Sequence, residues 1–313
     1  MSFPVPILIL AWKRPEKLKK LLSQLKKARP RKLYISIDGP DKTDLCKRKV
    51  LESKAVVDDL IDWPCEVNKK YENFNLGCKK GISKGISWLF NFENQGIILE
   101  EDCIPDVSFL KFAEEMLNKY RNKKNIFTIT GDCFIKNIHK KNQSYFYSKY
   151  SHCWGWATWK DRWQIFDKNI KFWPKLKKSY QWKILHPDII ERLYWNKIMD
   201  KVYNNKIDSW AYPWSACIWK NNGLTVTPML NLVTNIGVDS EGTNFKDKSS
   251  LLANLPKYEL RKFIGPEVIK NDKRLDNKCF YTVFIQINFR KIFKLFKNYS
   301  LKILFYLFNI EKK

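Results

Sequence analysis

Three consecutive carboxylates, Glu100-Glu101-Asp102, stand directly after the aliphatic segment 96–99. Adjacent carboxylates repel one another, so a site that keeps them together needs a cationic partner. Carboxylate oxygens are the hard ligands that Mg²⁺ and Mn²⁺ prefer, and such an ion can hold the oxygens of a diphosphate. Most acidic triplets are solvated loops, so the place of this one within the fold decides between the two interpretations.

Other acidic residues also follow short apolar segments. Asp38 comes directly after the segment 33–37, and Gly131-Asp132 follows the segment 126–130. Ligands of open α/β sheets bind outside the carboxyl ends of the strands. These residues and the acidic triplet therefore occupy the positions where such a sheet would place its ligand.

The elements that must position these residues alternate between strands and helices. Residues 4–11 form a continuous aliphatic run that predicts a buried parallel strand. Leucines at three- and four-residue spacing in 16–27, with lysines opposite, predict an amphipathic helix. The order of strand, helix and strand predicts a right-handed crossover unit and an α/β sheet. The remaining predicted elements are helices at 81–92 and 107–120 and strands at 33–37, 96–99 and 126–130.

The composition combines a foldable core with a large positive charge. The 313 residues include 58 Lys and Arg against 32 Asp and Glu, a formal net charge of +26, and 44% are hydrophobic. This content excludes a disordered tail or a mini-protein, and the charge indicates an anionic partner. A nucleic-acid-binding protein is one alternative, but the basic residues are spread over the chain without zinc-finger spacing or an RNP-like aromatic motif.

Aromatic residues suggest a second alternative. Most of the 13 tryptophans lie between residues 145 and 219. Sugar faces stack on such rings, so a non-catalytic glycan-binding protein would use this cluster alone; any single tryptophan is more often a core residue. A nucleotidyltransferase is a third alternative, although segment 11–20 has no glycine for the phosphate-binding loop that such enzymes need.

Cysteine spacing and hydropathy bear on the location of the protein. The eight cysteines are scattered singly, without paired spacing or zinc-ligand spacing, which favours buried free thiols. Segment 3–12 lacks the features of a signal peptide, and no apolar stretch is long enough to span a bilayer. We therefore expect a cytoplasmic protein, and a peripheral position on the inner membrane face is compatible with the sequence.

The C-terminal segment from Lys278 onward alternates apolar residues with lysine and arginine. This pattern is typical of an amphipathic helix that lies in the headgroup layer of an anionic membrane. A solvated lysine face over a packed helix is an equally good interpretation.

Several short motifs, in one order, resemble the GT-A fold nucleotide-sugar glycosyltransferases, most of all the N-acetylglucosaminyltransferase I type. The resemblance runs from Pro4 to about Asn244. It implies an α/β, Rossmann-like, mostly parallel sheet flanked by helices, to which the pattern from Lys278 onward adds a basic, aromatic C-terminal helical extension. The motifs that carry it are Ala11-Trp12-Lys13-Arg14, Ile35-Ser36-Ile37-Asp38, Asn75-Leu76-Gly77, Ile98-Leu99-Glu100-Glu101-Asp102 with Pro105-Asp106, Thr130-Gly131-Asp132, Trp154-Gly155-Trp156 and Asp208-Ser209-Trp210.

The same resemblance implies a division of the chain. Residues 1–250 would be the catalytic domain, with a nucleotide-sugar-binding half at 1–132 and an acceptor-binding half at 133–250. From their own sequence pattern, residues 251–313 are expected to be a basic amphipathic region that can associate with a membrane surface.

Roles for individual donor-site residues follow from the resemblance. Arg14 and Asp38 match positions that hold the nucleotide, and a carboxylate at Asp38 suits the imide N–H of uracil. Asp102 matches the metal-binding carboxylate for Mn²⁺ or Mg²⁺, while Glu100 and Glu101 would face the sugar and the ribose. The family usually has Asp where this chain has Glu101. The implied donor is a UDP-sugar, namely UDP-N-acetylglucosamine, and the implied acceptor is a glycan or lipid-linked glycan hydroxyl.

An inverting transfer also needs a general base that removes the acceptor's proton. Asp208 matches the family's carboxylate just before a tryptophan, and we expect an apolar surround to raise its proton affinity. Asp132, Asp161 and Asp239 are the alternatives, with Asp132 second. His152 is expected to be structural, and the segment 237–244 resembles a substrate loop.

Overall fold

A computed structural model describes residues 2–136, 138, 143–237, 252 and 255–285 of the chain. The segment 238–250 and the tail 286–313, which include Asp239 and most of the predicted amphipathic helix, lie outside the described residues. In the first half the elements are β1 (Ile7–Ala11), α1 (Pro15–Leu25), β2 (Lys32–Ile37), α2 (Asp44–Leu60), β3 (Glu66–Tyr71), α3 (Cys78–Phe92), β4 (Gln95–Glu100), β5 (Cys103–Pro105), α4 (Val107–Tyr120) and β6 (Ile126–Thr130).

The second half contributes more helix than strand. Its elements are β7 (Tyr145–Ser148), β8 (Trp156–Trp159), α5 (Lys160–Trp163), α6 (Trp173–Lys178), α7 (Tyr180–Leu185), α8 (Ile189–Tyr203), α9 (Ala211–Lys220), β9 (Leu224–Pro228), β10 (Val233–Asn235), α10 (Lys273–Cys279) and a π-helix (Phe280–Ile285). None of the helices in the described ranges is long and apolar enough to cross a membrane.

One mixed sheet organises the molecule. Its eight strands run in the order β3-β2-β1-β4-β8-β6-β9-β7, and a separate two-stranded sheet pairs β10 with β5. Strands β3, β2, β1 and β4 are parallel, β8 is antiparallel between β4 and β6, β9 is parallel to β6, and β7 is antiparallel at the edge. The predicted α/β class, with a mostly parallel sheet flanked by helices, is confirmed.

Strand β1 shows how the sheet separates two layers of core. Its side chains alternate between faces, so Ile7 and Ile9 pack in one core while Leu8 and Leu10 pack in another. The leucine face of α1 covers the first of these cores and is fully buried. Burial on both faces explains why β1 is continuously aliphatic rather than alternating.

The C-terminal region that the sequence analysis set apart joins the same body where it is described. Leu260 belongs to the core under α1, and Leu255, Phe280 and Val283 belong to a third core built from the tryptophan-rich helices. Residues 278–285, expected in a surface helix, therefore include buried packing residues. The folded body extends to Ile285 at least.

Candidate functional site

The carboxyl ends of β1, β2 and β4 meet at one edge of the sheet, where they border a cavity of about 410 Å³. We call it the strand-end cavity. The start of α3, the segment 208–211 and the end of β10 complete its wall. The structure brings every sequence-predicted site residue to this cavity: Arg14, Asp38, Glu100, Glu101, Asp102 and Asp208.

Arg14 and Glu101 form a clamp on the floor of the cavity. The Arg14 Nε donates to Glu101, and its Nη1 donates to Asp102 Oδ2 over 2.7 Å. The other Glu101 oxygen accepts the Trp12 backbone N–H at 2.9 Å. Burial alone would lower the pKa of Arg14, but Glu101 and Asp102 outweigh it and raise that pKa. Arg14 is thus the cation that offsets the acidic triplet in this state of the protein.

Both Glu101 oxygens have hydrogen-bond partners inside the protein, whereas the resemblance implies that Glu101 faces the sugar or the ribose. Its side chain is almost completely buried, and burial raises the pKa of Glu101 against the opposing effect of Arg14. The extra methylene of Glu over Asp lets the carboxylate reach back to β1. In this arrangement Glu101 orients Arg14 and the end of β1.

Glu100 has a different environment from its neighbour. Burial, followed by the charge of Asp102, raises the pKa of Glu100 to about 8, while Arg14 and a hydrogen bond from the Trp210 side chain act in the opposite direction. A cation placed beside Glu100 would favour its ionised form. Arg14 donates to Glu101 and to one oxygen of Asp102, so Glu100 and Asp102 are the carboxylates left to receive a further cation.

The chemistry of these donors fits a hard divalent cation. Asp102 and Glu100 offer carboxylate oxygens, and the described parts of the chain contain no cluster of three or more side chains able to hold an ion alone. Mg²⁺ commonly binds through one or two carboxylates, with substrate phosphates and water completing its shell. Two carboxylates at the end of β4 match that pattern rather than a closed protein cage.

Gly237 fixes the other side of Asp102. A Cβ added to Gly237 would lie 2.1 Å from Asp102 Oδ2, closer than atoms can approach. The Ile236 backbone N–H also donates to the Asp102 carbonyl at 2.9 Å. Only glycine lets the backbone pass this close to the carboxylate, so the chain at Gly237 lies against the candidate metal ligand.

Asp38 organises a loop of the cavity wall. One oxygen accepts from Gly39 N and Leu76 N, both at 2.9 Å, and the other accepts from Gly77 N and Asn75 Nδ2, both at 3.2 Å. Burial raises the pKa of Asp38, and these backbone N–H groups act against that rise. A carboxylate has about four acceptor positions, so a uracil N–H would have to replace one of these donors, the Asn75 amide being the one side chain among them.

Asp208 differs from its expected environment. We predicted an apolar surround among tryptophans, but the Asp208 side chain is exposed at the rim of the cavity. Its Oδ1 accepts the Lys79 backbone N–H at 3.2 Å, in the first turn of α3. Gly77 precedes this helix at a φ of +80°, and an added Cβ there would lie 3.3 Å from Asp208 Oδ2. Asp208 therefore faces both solvent and the N-terminal end of a helix.

The alternative carboxylates have structural surroundings. Asp132 is fully buried and does not line the cavity; it accepts from Thr130 Oγ1 and from Trp154 N at 3.1 Å. Burial raises the pKa of Asp132 to about 7. Asp161 pairs with Lys124 and Arg162 away from the cavity. His152 packs among aromatic rings, and burial lowers its pKa to about 4.

The tryptophans divide into core and cavity residues. All nine of them in the 156–219 stretch are at most 5% exposed, so for these the interpretation as core residues is correct. Trp12, Trp154 and Trp210 line the cavity, and Trp210 does so while almost wholly buried. The cavity thus has aromatic walls, but the cluster as a whole is a structural core.

The charge of the cavity contrasts with that of the protein. Among the described residues its lining contains six carboxylates and one arginine, a formal charge of −5, within a chain of +26. Glu72 is one of these carboxylates, and Lys84 pairs with it from outside the lining. Sequence analysis missed Glu72 and Asn235, which follow β3 and end β10. Their position at strand ends was the available signal, but neither strand was predicted.

Comparison with known proteins leaves the family open. No protein-family model matches the chain, and no curated protein matches it. HddC from Yersinia pseudotuberculosis is similar to it with a TM-score of 0.32 and 15% identity, covering 55% of this chain and 86% of that one. 4-Diphosphocytidyl-2C-methyl-D-erythritol synthase from Anaerococcus prevotii is similar with a TM-score of 0.32 and 10% identity, over 56% and 77%.

A third similar structure is UDP-glucose pyrophosphorylase in complex with UDP-glucose, with a TM-score of 0.32 and 10% identity over 53% of this chain and 79% of that one. None of these three names describes an N-acetylglucosaminyltransferase, so the resemblance to that type stays a prediction. Similarity at this level says nothing about the activity of this chain. The function proposed below rests on the cavity.

Proposed function

We propose that the protein is a metal-dependent glycosyltransferase that moves a sugar, N-acetylglucosamine, from a UDP donor to a glycan hydroxyl with inversion. The observation that carries the proposal is the strand-end cavity, where six carboxylates and Arg14 converge in a strongly basic chain. A cavity of this charge suits an anionic diphosphate only when a divalent cation accompanies it.

The donor would bind across the ends of β1, β2 and β4. Asp102, with Glu100 beside it, would hold Mn²⁺ or Mg²⁺, which when bound neutralises negative charge growing on the departing nucleoside diphosphate. Arg14 now pairs with Asp102 Oδ2, so donor binding requires its guanidinium to share that oxygen or move toward the phosphates. Asp38 and Asn75 would receive the uracil edge.

Asp208 is the proposed general base. It lies at the cavity rim, where it is exposed to an incoming acceptor hydroxyl. The acceptor oxygen attacks the anomeric carbon, its proton passes to the Asp208 carboxylate, and the electron pair of the breaking C–O bond leaves with UDP. The Lys79 N–H that Asp208 accepts orients the carboxylate for this step.

The acceptor proposal rests on the charge of the whole molecule. A basic chain with an aromatic and basic C-terminal sequence suits a glycan that carries phosphates, such as a lipid-linked surface-polysaccharide precursor at a membrane face. Such an acceptor would bring its own negative charge to the positive surface outside the acidic cavity.

A thermal-shift panel tests donor binding. UDP-sugars, GDP-sugars and CMP-sugars are compared with and without Mn²⁺. We expect stabilisation by UDP-sugars that depends on the ion and is lost in Asp102→Asn. Asp161→Asn is the matched control, because Asp161 pairs with Lys124 outside the cavity and should keep the full response. Stabilisation by no nucleotide sugar, or equal stabilisation in Asp102→Asn, contradicts the proposal.

Product analysis separates transfer from related chemistry. Incubation with the stabilising donor and a glycan acceptor should release UDP and form a new glycosidic bond. Asp208→Asn should keep the donor-induced shift and lose transfer by a factor of about 10²–10⁴. Formation of pyrophosphate from a sugar phosphate and UTP would instead identify a nucleotidyltransferase. Unchanged transfer in Asp208→Asn would remove Asp208 from the role of base.

A further inference from the structure

Exposed apolar side chains concentrate in one short stretch of the described chain. Within fourteen consecutive residues at α7 and the start of α8, five large apolar side chains are each more than half exposed: Tyr180 (77%), Ile184 (60%), Ile189 (63%), Ile190 (57%) and Leu193 (62%). We call this group the α7–α8 patch. Single exposed apolar residues are ordinary on soluble proteins, whereas a continuous group marks an interaction surface.

Helix geometry makes the group continuous. Tyr180 and Ile184 are one turn apart on α7, and Leu193 is one turn from Ile189 and Ile190 on α8. Only the turn 186–188 separates the two helices. Trp182 and Trp195 are buried on the opposite faces of the two helices, so the outward apolar side chains are not part of the core.

The turn between the helices is firmly held. The buried His186 ring bonds Glu191 Oε1 at 2.9 Å, and Arg192 donates to the His186 carbonyl at 2.7 Å. The buried Lys149 Nζ bonds the Leu185 carbonyl at 2.9 Å and pairs with Glu191 at 2.6 Å. The patch is therefore presented on a rigid corner.

The charge around the patch is positive. Residues 173–206 contain eight Lys or Arg and three acidic residues. All three acids have partners: Glu191 is buried against Lys149, Asp200 pairs with Lys177, and Asp188 caps α8 and accepts from Tyr281. Lys183 and Lys197 are exposed beside the apolar side chains.

This chemistry selects one kind of partner. Apolar side chains beside unpaired lysines match the boundary of an anionic bilayer, where the former enter the acyl layer and the latter meet the headgroups. A second copy of the same face would oppose lysines to lysines. The tail 286–313, with seven basic residues and one acid, is also repelled by the patch.

We propose that the α7–α8 patch docks the folded body onto an anionic lipid bilayer. This goes beyond the proposed transfer reaction, because the docking face belongs to α7 and α8 and needs neither donor nor acceptor.

Sedimentation of the full chain with vesicles tests the proposal, using phosphatidylcholine alone or with 30 mol% phosphatidylglycerol. The triple variant Ile189→Ser/Ile190→Ser/Leu193→Ser should partition onto the anionic vesicles at least about tenfold less than the parent. Lys183→Glu/Lys197→Glu should reduce the preference for phosphatidylglycerol. The matched control is Leu45→Ser/Leu51→Ser, which changes two residues of α2 that are 56% and 63% exposed. Its partition should stay within about twofold.

The melting temperature, the partition of the triple variant and the oligomeric state of the parent each support or overturn the proposal. The changed side chains are exposed, so the triple variant should retain the parental melting temperature, which shows that lost partition is not lost folding. Equal partition of the triple variant and the parent overturns the proposal. The proposal is also overturned if analytical ultracentrifugation without vesicles finds the parent to be a dimer and the triple variant a monomer, since the patch would then bind a second copy. Because vesicle binding is measured without donor, failure here leaves the proposed transfer reaction to its own test.

Discussion

Replacing Arg14 with methionine should destabilise the protein and at the same time strengthen its response to Mn²⁺. The substitution removes both ion pairs of the clamp, to Glu101 and to Asp102, and leaves those buried carboxylates uncompensated. Breaking a buried ion pair by removing one partner costs about 3–5 kcal/mol. At about 2 °C per kcal/mol for a chain of this size, the melting temperature should fall by roughly 6–10 °C.

Metal binding should then recover part of this loss. In the parent an ion must compete with Arg14 Nη1 for Asp102 Oδ2, whereas in Arg14→Met that oxygen is free. Differential scanning fluorimetry with and without Mn²⁺ should therefore give a larger metal-induced shift in the variant. Lys13→Met is the matched control, since the neighbouring Lys13 pairs with Asp41 at 3.2 Å and lies over the Trp12 ring but has no ion pair with the acidic triplet, so the metal response should stay unchanged.

Should Arg14→Met fail to fold, Arg14→Lys provides the same test. Lysine keeps the charge but cannot reach two carboxylates with a planar fork, so one of the two pairs is lost. Mn²⁺ affinity, measured by electron paramagnetic resonance of the free ion, should then exceed that of the parent. A metal response equal to or below the parental one in both variants would refute the competition between Arg14 and the ion.

Three further predictions concern the wall and its support. Gly237→Ala should weaken the Mn²⁺-induced shift, because its Cβ would lie 2.1 Å from Asp102 Oδ2; an unchanged shift would mean that the backbone yields there. Asp38→Ala should lower the urea-derived stability by about 1–3 kcal/mol through unsatisfied N–H groups, whereas Asp38→Asn, which keeps one acceptor, should lose less. In the folded state the pKa of Asp132 is about 7, so Asp132 keeps a proton that the unfolded chain releases near pH 3.8. The stability of the parent therefore falls as the pH rises from 3.8 to about 7. Relative to the parent, Asp132→Asn should therefore gain about 3 kcal/mol between pH 5 and pH 8, and a pH-independent difference would contradict burial as the cause.

The elements that the sequence predicted well are those with strong local signals. Helix Val107–Tyr120 matches its prediction at both ends, because Asp106 caps it and its apolar face is regular. Strand β3 was missed, since its sequence EVNKKY is largely polar; it pairs with β2 and packs only Val67 and Tyr71 against the core. An edge strand of this kind has no period-two apolar pattern to detect.

The site residues were found by type and position, but not their partners. Arg14 lies 87 and 88 positions from the carboxylates that it clamps, and Asp38 lies 37 to 39 from the loop that it holds. No local pattern encodes contacts between such distant segments. The exposure of Asp208 was unpredictable for the same reason, because neighbouring tryptophans in the sequence point into the core while the carboxylate faces α3.

The contrast between the acidic cavity and the basic remainder of the protein explains how one chain would bind both a metal-bound donor and an anionic bilayer. With a formal charge of +26, the protein attracts anions over most of its surface, yet the lining of the strand-end cavity repels a bare diphosphate. Only a cation–diphosphate complex gains from both regions, which would select the metal-bound donor over free nucleotide. In residues 173–206, around the α7–α8 patch, eight basic residues outnumber three acidic ones, so an anionic bilayer would hold the body there. A lipid-linked acceptor in that bilayer would then be confined to the same surface as the enzyme, and the encounter would no longer depend on diffusion through bulk solution.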